Sequence, residues 1–251
     1  MARVIILGSA AAVSDFEHDN THFLLVGETS TILVDCGTNP LGKIRKLGFN
    51  DETMQDVILT HFHPDHVSGF PNMLMHMWLL GRQSPLRVYG LNHCLNRVQD
   101  MMEGFSWDTW PNFFPVTFFR VLERNSAPVL ENEDFRIIAY PTRHFVPTIG
   151  LRIENKRSSM VLAYSCDTEP IPALLELGRS ADVFIHEAAG EGMGHSSARQ
   201  AGEIATEAEA KSLYLIHYQV WNTDPAPLVR EAQETFTGNV LLCKDYDEIE
   251  F

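Results

Sequence analysis

The segment His61-Phe62-His63-Pro64-Asp65-His66 sets three imidazoles and a carboxylate within six residues, directly behind the apolar run Val57-Ile58-Leu59-Thr60. Side chains two apart on an extended segment point the same way, so His61 and His63 are placed to grip one ion together. Pro64 cannot donate to a sheet ladder and suits a first helical turn, so the strand is expected to stop there. Beyond that turn Asp65 and His66 point elsewhere, toward a second ion. Imidazole nitrogen with carboxylate oxygen and no thiolate suits zinc, manganese or iron at an exchangeable, reactive site. A strand end that is histidine-rich by accident is a poor account of four ligand-type side chains at this density.

Three more ligand-type residues follow apolar runs. His144 closes Pro141-Thr142-Arg143-His144, Asp167 lies in Tyr164-Ser165-Cys166-Asp167-Thr168, and His217 ends Leu213-Tyr214-Leu215-Ile216. Taken singly, each is the kind of residue that ordinarily caps a strand at the surface. Taken with the cassette, they are expected to converge on one sheet edge, where sites in α/β proteins form.

The elements that must carry these residues can be read from periodicity and turn residues. Strands are expected over 3–8, 22–26, 31–35, 56–60, 135–140, 149–154, 160–164, 183–186, 213–217 and 240–243. Helices fit 40–47, the stretch from His66 to Leu80, 171–177, 197–210 and 228–236. Strands alternating with helices in both halves, with hairpins, imply α/β architecture with mixed sheets. The stretch Met73–Trp78 is apolar nearly all round, which predicts a buried helix, with a subunit contact as the alternative. Trp107 to Asn112 reads as an aromatic-bearing loop, expected to form a lid over the site or a dimer surface.

A chain of 251 residues, 45% hydrophobic and 21% charged, is long enough for a substantial core and is read as one domain, 1–251. The apolar run Val4–Leu7 is too short for a signal-peptide core, and no stretch approaches a membrane span. Cys36, Cys94, Cys166 and Cys243 lack paired spacing, which fits reduced thiols and a cytoplasmic protein. The formal charge of −14 disfavours a polyanionic partner, although two divalent ions would invert the field locally.

The chain resembles the metallo-β-lactamase superfamily over nearly its whole length. The resemblance rests on Leu33-Val34-Asp35-Cys36-Gly37, the 61–66 cassette, then His144, Asp167 and His217 in order. Within it the chain is most similar to the ribonuclease Z-like branch, through Leu7-Gly8-Ser9-Ala10-Ala11-Ala12, Tyr164–Thr168, Ile185-His186-Glu187-Ala188 and Gly194-His195-Ser196-Ser197-Ala198. This implies a four-layer αββα sandwich. It also implies two ions, zinc first and manganese or iron as alternatives: His61, His63 and His144 on one, Asp65, His66 and His217 on the other, and Asp167 bridging. Asp35 would orient a ligand histidine. Asp65 and His195 are the catalytic candidates; His195 would protonate a leaving alkoxide or bind phosphate, with Glu187 and His186 in support. A helix-capping role is the structural alternative for His195. Two departures stand out. Cys166 occupies a position usually held by glycine, and only 22 residues separate His144 from Asp167, room for one hairpin and no tRNA-gripping arm.

The expected function is therefore a two-metal hydrolase, foremost a phosphodiesterase on a small diester or an RNA 3′ end, working as a homodimer. An ester, lactone or thioester hydrolase is the second reading, and a ribonuclease Z-type tRNA 3′-processing enzyme the third. An iron redox protein is disfavoured by His63 and by length.

Overall fold

The structure is a computed structural model and describes residues 2–251. The strands are β1 Arg3–Gly8, β2 His22–Val26, β3 Thr31–Val34, β4 Met54–Leu59, β5 Leu86–Leu91, β6 Val116–Val121, β7 Ala127–Glu131, β8 Phe135–Pro141, β9 Ile149–Asn155, β10 Val161–Tyr164, β11 Val183–Glu187, β12 Ser212–Ile216, β13 Asn239–Leu242 and β14 Glu248–Glu250. The helices are α1 Pro40–Lys46, α2 Pro64–Val67, α3 Phe70–Leu79, α4 Asn92–Gly104, α5 Pro172–Gly178, α6 Ala198–Glu207 and α7 Pro227–Gln233.

Two seven-stranded sheets run in the orders β14-β1-β2-β3-β4-β5-β6 and β13-β12-β11-β10-β9-β8-β7. In each sheet the run of three pairings β3 to β6, or β10 to β13, is parallel and the remaining pairings are antiparallel. Neighbouring residues of one strand feed different layers. Val4 and Ile6 enter the core between the sheets with Val34, Ile58, Ile153 and Ile185, whereas Ile5 and Leu7 pack under the helices with Leu41, Phe70 and Leu95. A third apolar layer joins Ala163, Phe184 and Leu213 to Leu174 and Ala201 on the far side. Helices, two sheets and helices are thus stacked as the αββα sandwich expected. Both faces of the central strands are buried, which is why they read as continuous apolar runs rather than alternating ones.

The expected helix from His66 to Leu80 is two helices. Gly69 separates them because the chain is pressed against Thr38 there; a Cβ on Gly69 would lie 2.0 Å from the Thr38 carbonyl oxygen. The aromatic loop is not a lid. Trp107–Thr109 form a 3₁₀ turn, Trp110 stacks on Trp78 of α3 at 4.9 Å, and the Trp78 indole N–H donates to the Pro111 carbonyl at 2.9 Å. Trp107, Trp110, Phe113 and Phe118 pack against the α3–α4 side of the core, so the loop is held by its own subunit. Strands β5, β6, β7 and β14 and helix α4 were not anticipated from sequence.

Candidate metal centre

The expected site residues meet at strand C-termini, those of β4, β10 and β12 in the parallel parts of the two sheets and that of the antiparallel β8. His61 and His63 leave β4 in extended conformation, and Pro64 starts α2, which presents Asp65 and His66. His144 follows β8, Asp167 follows β10, Glu187 ends β11 and His217 follows β12. Three strand ends break sharply: Asp35, Cys166 and His217 have φ of 61°, 53° and 54°. The left-handed turn at Cys166 is where glycine would cost least, the residue that the family resemblance leads one to expect there. Its thiol is fully buried, 3.7 Å from His61 Nδ1, and burial pushes its pKa well up, so it fills space rather than acting as a nucleophile.

The ligand atoms draw together around the Asp167 carboxylate. Asp167 Oδ2 lies 3.2 Å from His217 Nε2, 3.6 Å from His144 Nε2, 3.6 Å from His66 Nε2 and 3.7 Å from His61 Nε2. His63 Nδ1 is 3.1 Å from His61 Nε2 and 3.0 Å from His144 Nε2, and Asp65 Oδ2 is 3.5 Å from His66 Nε2. An ion held tetrahedrally at about 2.0–2.1 Å keeps its ligand atoms about 3.4 Å apart, the spacing seen across both halves.

Neighbouring hydrogen bonds settle which ring nitrogens carry protons. His144 Nδ1–H donates to the Gly194 carbonyl at 2.7 Å, and His66 Nδ1–H to Asp35 Oδ2 at 2.8 Å. The Thr21 hydroxyl donates to the Ala10 carbonyl, so at 3.0 Å it accepts from His217 Nδ1–H. Likewise the Thr60 hydroxyl donates to Asp35 and accepts from His61 Nδ1–H at 3.1 Å. Four imidazoles therefore turn their remaining nitrogen, a bare lone pair in the neutral ring, toward one carboxylate oxygen. Lone pairs cannot bond to one another, and His66 Nε2 and Asp167 Oδ1 are buried without a hydrogen-bond partner. Such a donor set is suited to hold divalent cations at its centre.

The electrostatics agree. Burial drives the His61 imidazole well below its ordinary pKa, helped by His66. Burial also opposes charge on His66, but Asp167 and then Asp35 outweigh it and hold His66 well above its ordinary value. For Asp167 burial raises and His217 and His66 lower, with the lowering winning strongly. The carboxylates demand positive charge at this point, whether as protons or as ions.

His195 stands beside the cluster. Its ring centroid is 4.9 Å from that of His144 and 5.8 Å from that of His217, stacked on the latter. Its Nδ1 is 2.9 Å from Glu187 Oε1; Glu187 is fully buried and also accepts the Thr168 and Ala189 amides. Burial draws the His195 pKa down, and the Glu187 carboxylate overrides it, raising it above the ordinary value. His195 does not cap α6. Ser197 does, in a capping box with Gln200, which fixes the chain just after His195. His186 points away from the cluster, packing on Phe184 with its Nδ1 on the Glu187 carbonyl.

A cavity of about 420 Å³ opens over the cluster, lined by Asp65, His63, His195, Ala11, Phe145 and Trp221 among others. Phe145, Trp221 and Val13 are exposed at its mouth. Sequence reasoning missed Phe145, Trp221 and Glu169. Trp221 lies four residues beyond His217, and nothing local marks it as a site residue.

Comparison with known proteins places the chain. The family model described as Anti-Pycsar protein Apyc1 matches residues 2–238. The chain belongs to that family. Among curated relatives, ribonuclease Z of Methanothermobacter thermautotrophicus is 24% identical, covering 94% of this chain and 92% of the relative. Ribonuclease Z of Mycolicibacterium gilvum is 29% identical over 87% and 84%. The metallo-β-lactamase fold protein YhfI of Bacillus subtilis superposes with TM-score 0.82 at 24% identity, over 100% and 99% of the two chains. The short form of human tRNase Z gives 0.80 at 23%, over 99% and 98%. The chain is thus a metallo-β-lactamase-superfamily hydrolase of the ribonuclease Z-like branch.

Proposed function

We propose that this protein is a two-metal phosphodiesterase acting on a small diester. The observation that carries the reading is the ring of four imidazoles with committed Nδ1–H groups around Asp167 Oδ2, flanked by the His195–Glu187 pair. His61, His63 and His144 would hold one ion, Asp65, His66 and His217 the other, with Asp167 between them; zinc suits the nitrogen-rich set best. Bound ions of this kind supply Lewis acidity and a water of lowered pKa.

The chain's own residues supply the rest. Asp35 fixes His66, and Thr60 fixes His61, through bonds to the outer ring nitrogens. Glu187 holds His195 at Nδ1, leaving Nε2 to deliver a proton to the departing alkoxide at the cavity. Asp65 belongs to the ligand set and lines the same cavity, so it also orients the attacking group.

The hairpin β9–β10 fills the interval between His144 and Asp167, with no arm to grip a folded RNA. That supports a small diester over precursor tRNA, although ribonuclease Z relatives make tRNA the necessary comparison. The apolar cavity mouth favours a carboxylic ester or lactone as the second reading. We read the chain as cytoplasmic, in keeping with four free, buried cysteines, and as a homodimer across the face that leaves Met75 and Leu79 exposed; no helix among the described residues is long and apolar enough to cross a membrane. The test is the zinc- or manganese-loaded protein on bis(p-nitrophenyl) phosphate, cyclic nucleotides, lactones and precursor tRNA. Lactone turnover exceeding that of every diester would replace this reading with the second.

A further inference from the structure

His195 is carried on a loop with three glycines, Gly190, Gly192 and Gly194, two of them at positive φ of 119° and 77°. Such a segment has little conformational preference of its own, so its position must come from bonds to the rest of the fold. Its neck is closed by the Gly190 amide on the Ser196 carbonyl at 3.0 Å and by the Ser196 hydroxyl on the Thr168 carbonyl at 2.7 Å. The tip is held at Gly194. Its N–H donates to Glu169 Oε1 at 3.0 Å, and its carbonyl accepts His144 Nδ1–H at 2.7 Å. That carbonyl belongs to the same peptide as the His195 N–H. Only glycine fits, because a Cβ there would meet His144 Nδ1 at 2.9 Å and the Phe145 ring at 3.0 Å.

Glu169 itself is well anchored. It lies two residues after Asp167, and its amide donates to the carbonyl of Arg143, the neighbour of His144, at 2.9 Å. Its side chain is 30% exposed, and Arg143 approaches its other oxygen only to 3.9 Å. The Glu169 carboxylate is therefore directed at the loop rather than spent on an ion pair.

We propose that Glu169 is a positioning residue: its carboxylate latches Gly194 and thereby sets His195 against the metal-ligand cluster. This rests on the reading of His195 as the proton donor to the leaving group. What the latch requires is an acceptor, not a charge. Glutamine should serve in its place and alanine should not.

The test compares Glu169→Ala, Glu169→Gln and His195→Ala in the zinc-loaded protein, with diesters of good and poor leaving groups. Glu169→Ala should lower kcat on the poor leaving group about 3- to 10-fold, the worth of one such hydrogen bond, with KM and zinc content unchanged. Activated esters should lose little, and Glu169→Gln should retain most of the rate. In a His195→Ala background, Glu169→Ala should add no further loss. Hydrogen exchange across residues 190–195 should quicken in Glu169→Ala alone. Equal losses in the Ala and Gln variants, a loss that persists without His195, or a fall in zinc content would overturn the latch. If the wild-type protein turns over no phosphodiester, it is the proposed function that fails. Exchange then decides alone, and unchanged protection of 190–195 in Glu169→Ala would overturn the latch.

Discussion

Asp167 is the residue on which the cluster closes, because four imidazole nitrogens face one of its oxygens and the other has no partner in the protein. Asp167→Ala should abolish diester turnover and release at least one of two ions, measured by elemental analysis after zinc saturation. Retention of two tightly held ions would remove the bridging role. Asp35 works one bond further out, accepting the Thr60 amide and hydroxyl as well as His66 Nδ1–H. Asp35→Ala should weaken metal binding by about 10- to 100-fold, the usual cost of losing such an orienting partner. Competitive chelator titration reads this directly, and an unchanged affinity would mean that packing alone orients His66. For His195→Ala, loss of a general acid predicts a decrease of about 10²–10⁴-fold on poor leaving groups. Equal losses on good and poor leaving groups would assign His195 to phosphate positioning instead. The ligand-type residues could be found in sequence because type and place agree: histidines and an aspartate just past apolar runs. Glu169 could not, being one acid among 33 Asp and Glu residues, given meaning only by Gly194, which the fold brings back from 25 positions away.

At the level of elements, the end of the sandwich remote from the cluster is tied by one carboxylate. Asp134, ahead of β8, accepts the amides and hydroxyls of Thr29 and Ser30 from the β2–β3 turn, and Arg157 Nε from the β9–β10 turn. Burial pushes its carboxyl up, but the Thr29 amide and the other donors outweigh this and hold it far below the ordinary range. A depressed folded-state pKa means that the stabilisation is complete above the unfolded value, about 3.9, and fades as pH falls through the folded value. Asp134→Ala should therefore destabilise the fold by about 1–3 kcal/mol at neutral pH, the worth of hydrogen bonds to a charged acceptor whose donors are only partly buried. In urea unfolding the gap to wild type should hold from pH 5 to 8 and narrow below about pH 4. A gap as large at pH 3 as at pH 7 would show that the bonds do not depend on the charge. Most strands were legible because burial on both faces makes them unbroken apolar runs. The edge strands β6 and β7 are partly exposed and mixed in composition, so pairing rather than local pattern makes them strands. Helix α4 carries Cys94, Leu95, Val98 and Met102 at helical spacing, yet it is absent from the elements expected above.

For the molecule as a whole, surface charge, assembly and substrate size are linked. Met75 and Leu79 of α3, and Leu80 just past it, remain exposed after the aromatic loop has packed beside them, and a two-fold dimer across this face would cover them. Light scattering at micromolar concentration should give twice the chain mass of 28.4 kDa, and Leu79→Lys should shift it toward the monomer. A monomeric wild-type protein would contradict the assembly. With a net charge of −14, the surface offers a polyanion no long-range attraction, so binding must come from the ions and the cavity. The whole account turns on one comparison: kcat/KM of the zinc-loaded protein for small phosphodiesters against site-specific cleavage of precursor tRNA under the same conditions. Small diesters should be turned over with a wide advantage. Efficient removal of a tRNA 3′ trailer by the pure protein, with small diesters left intact, would contradict it.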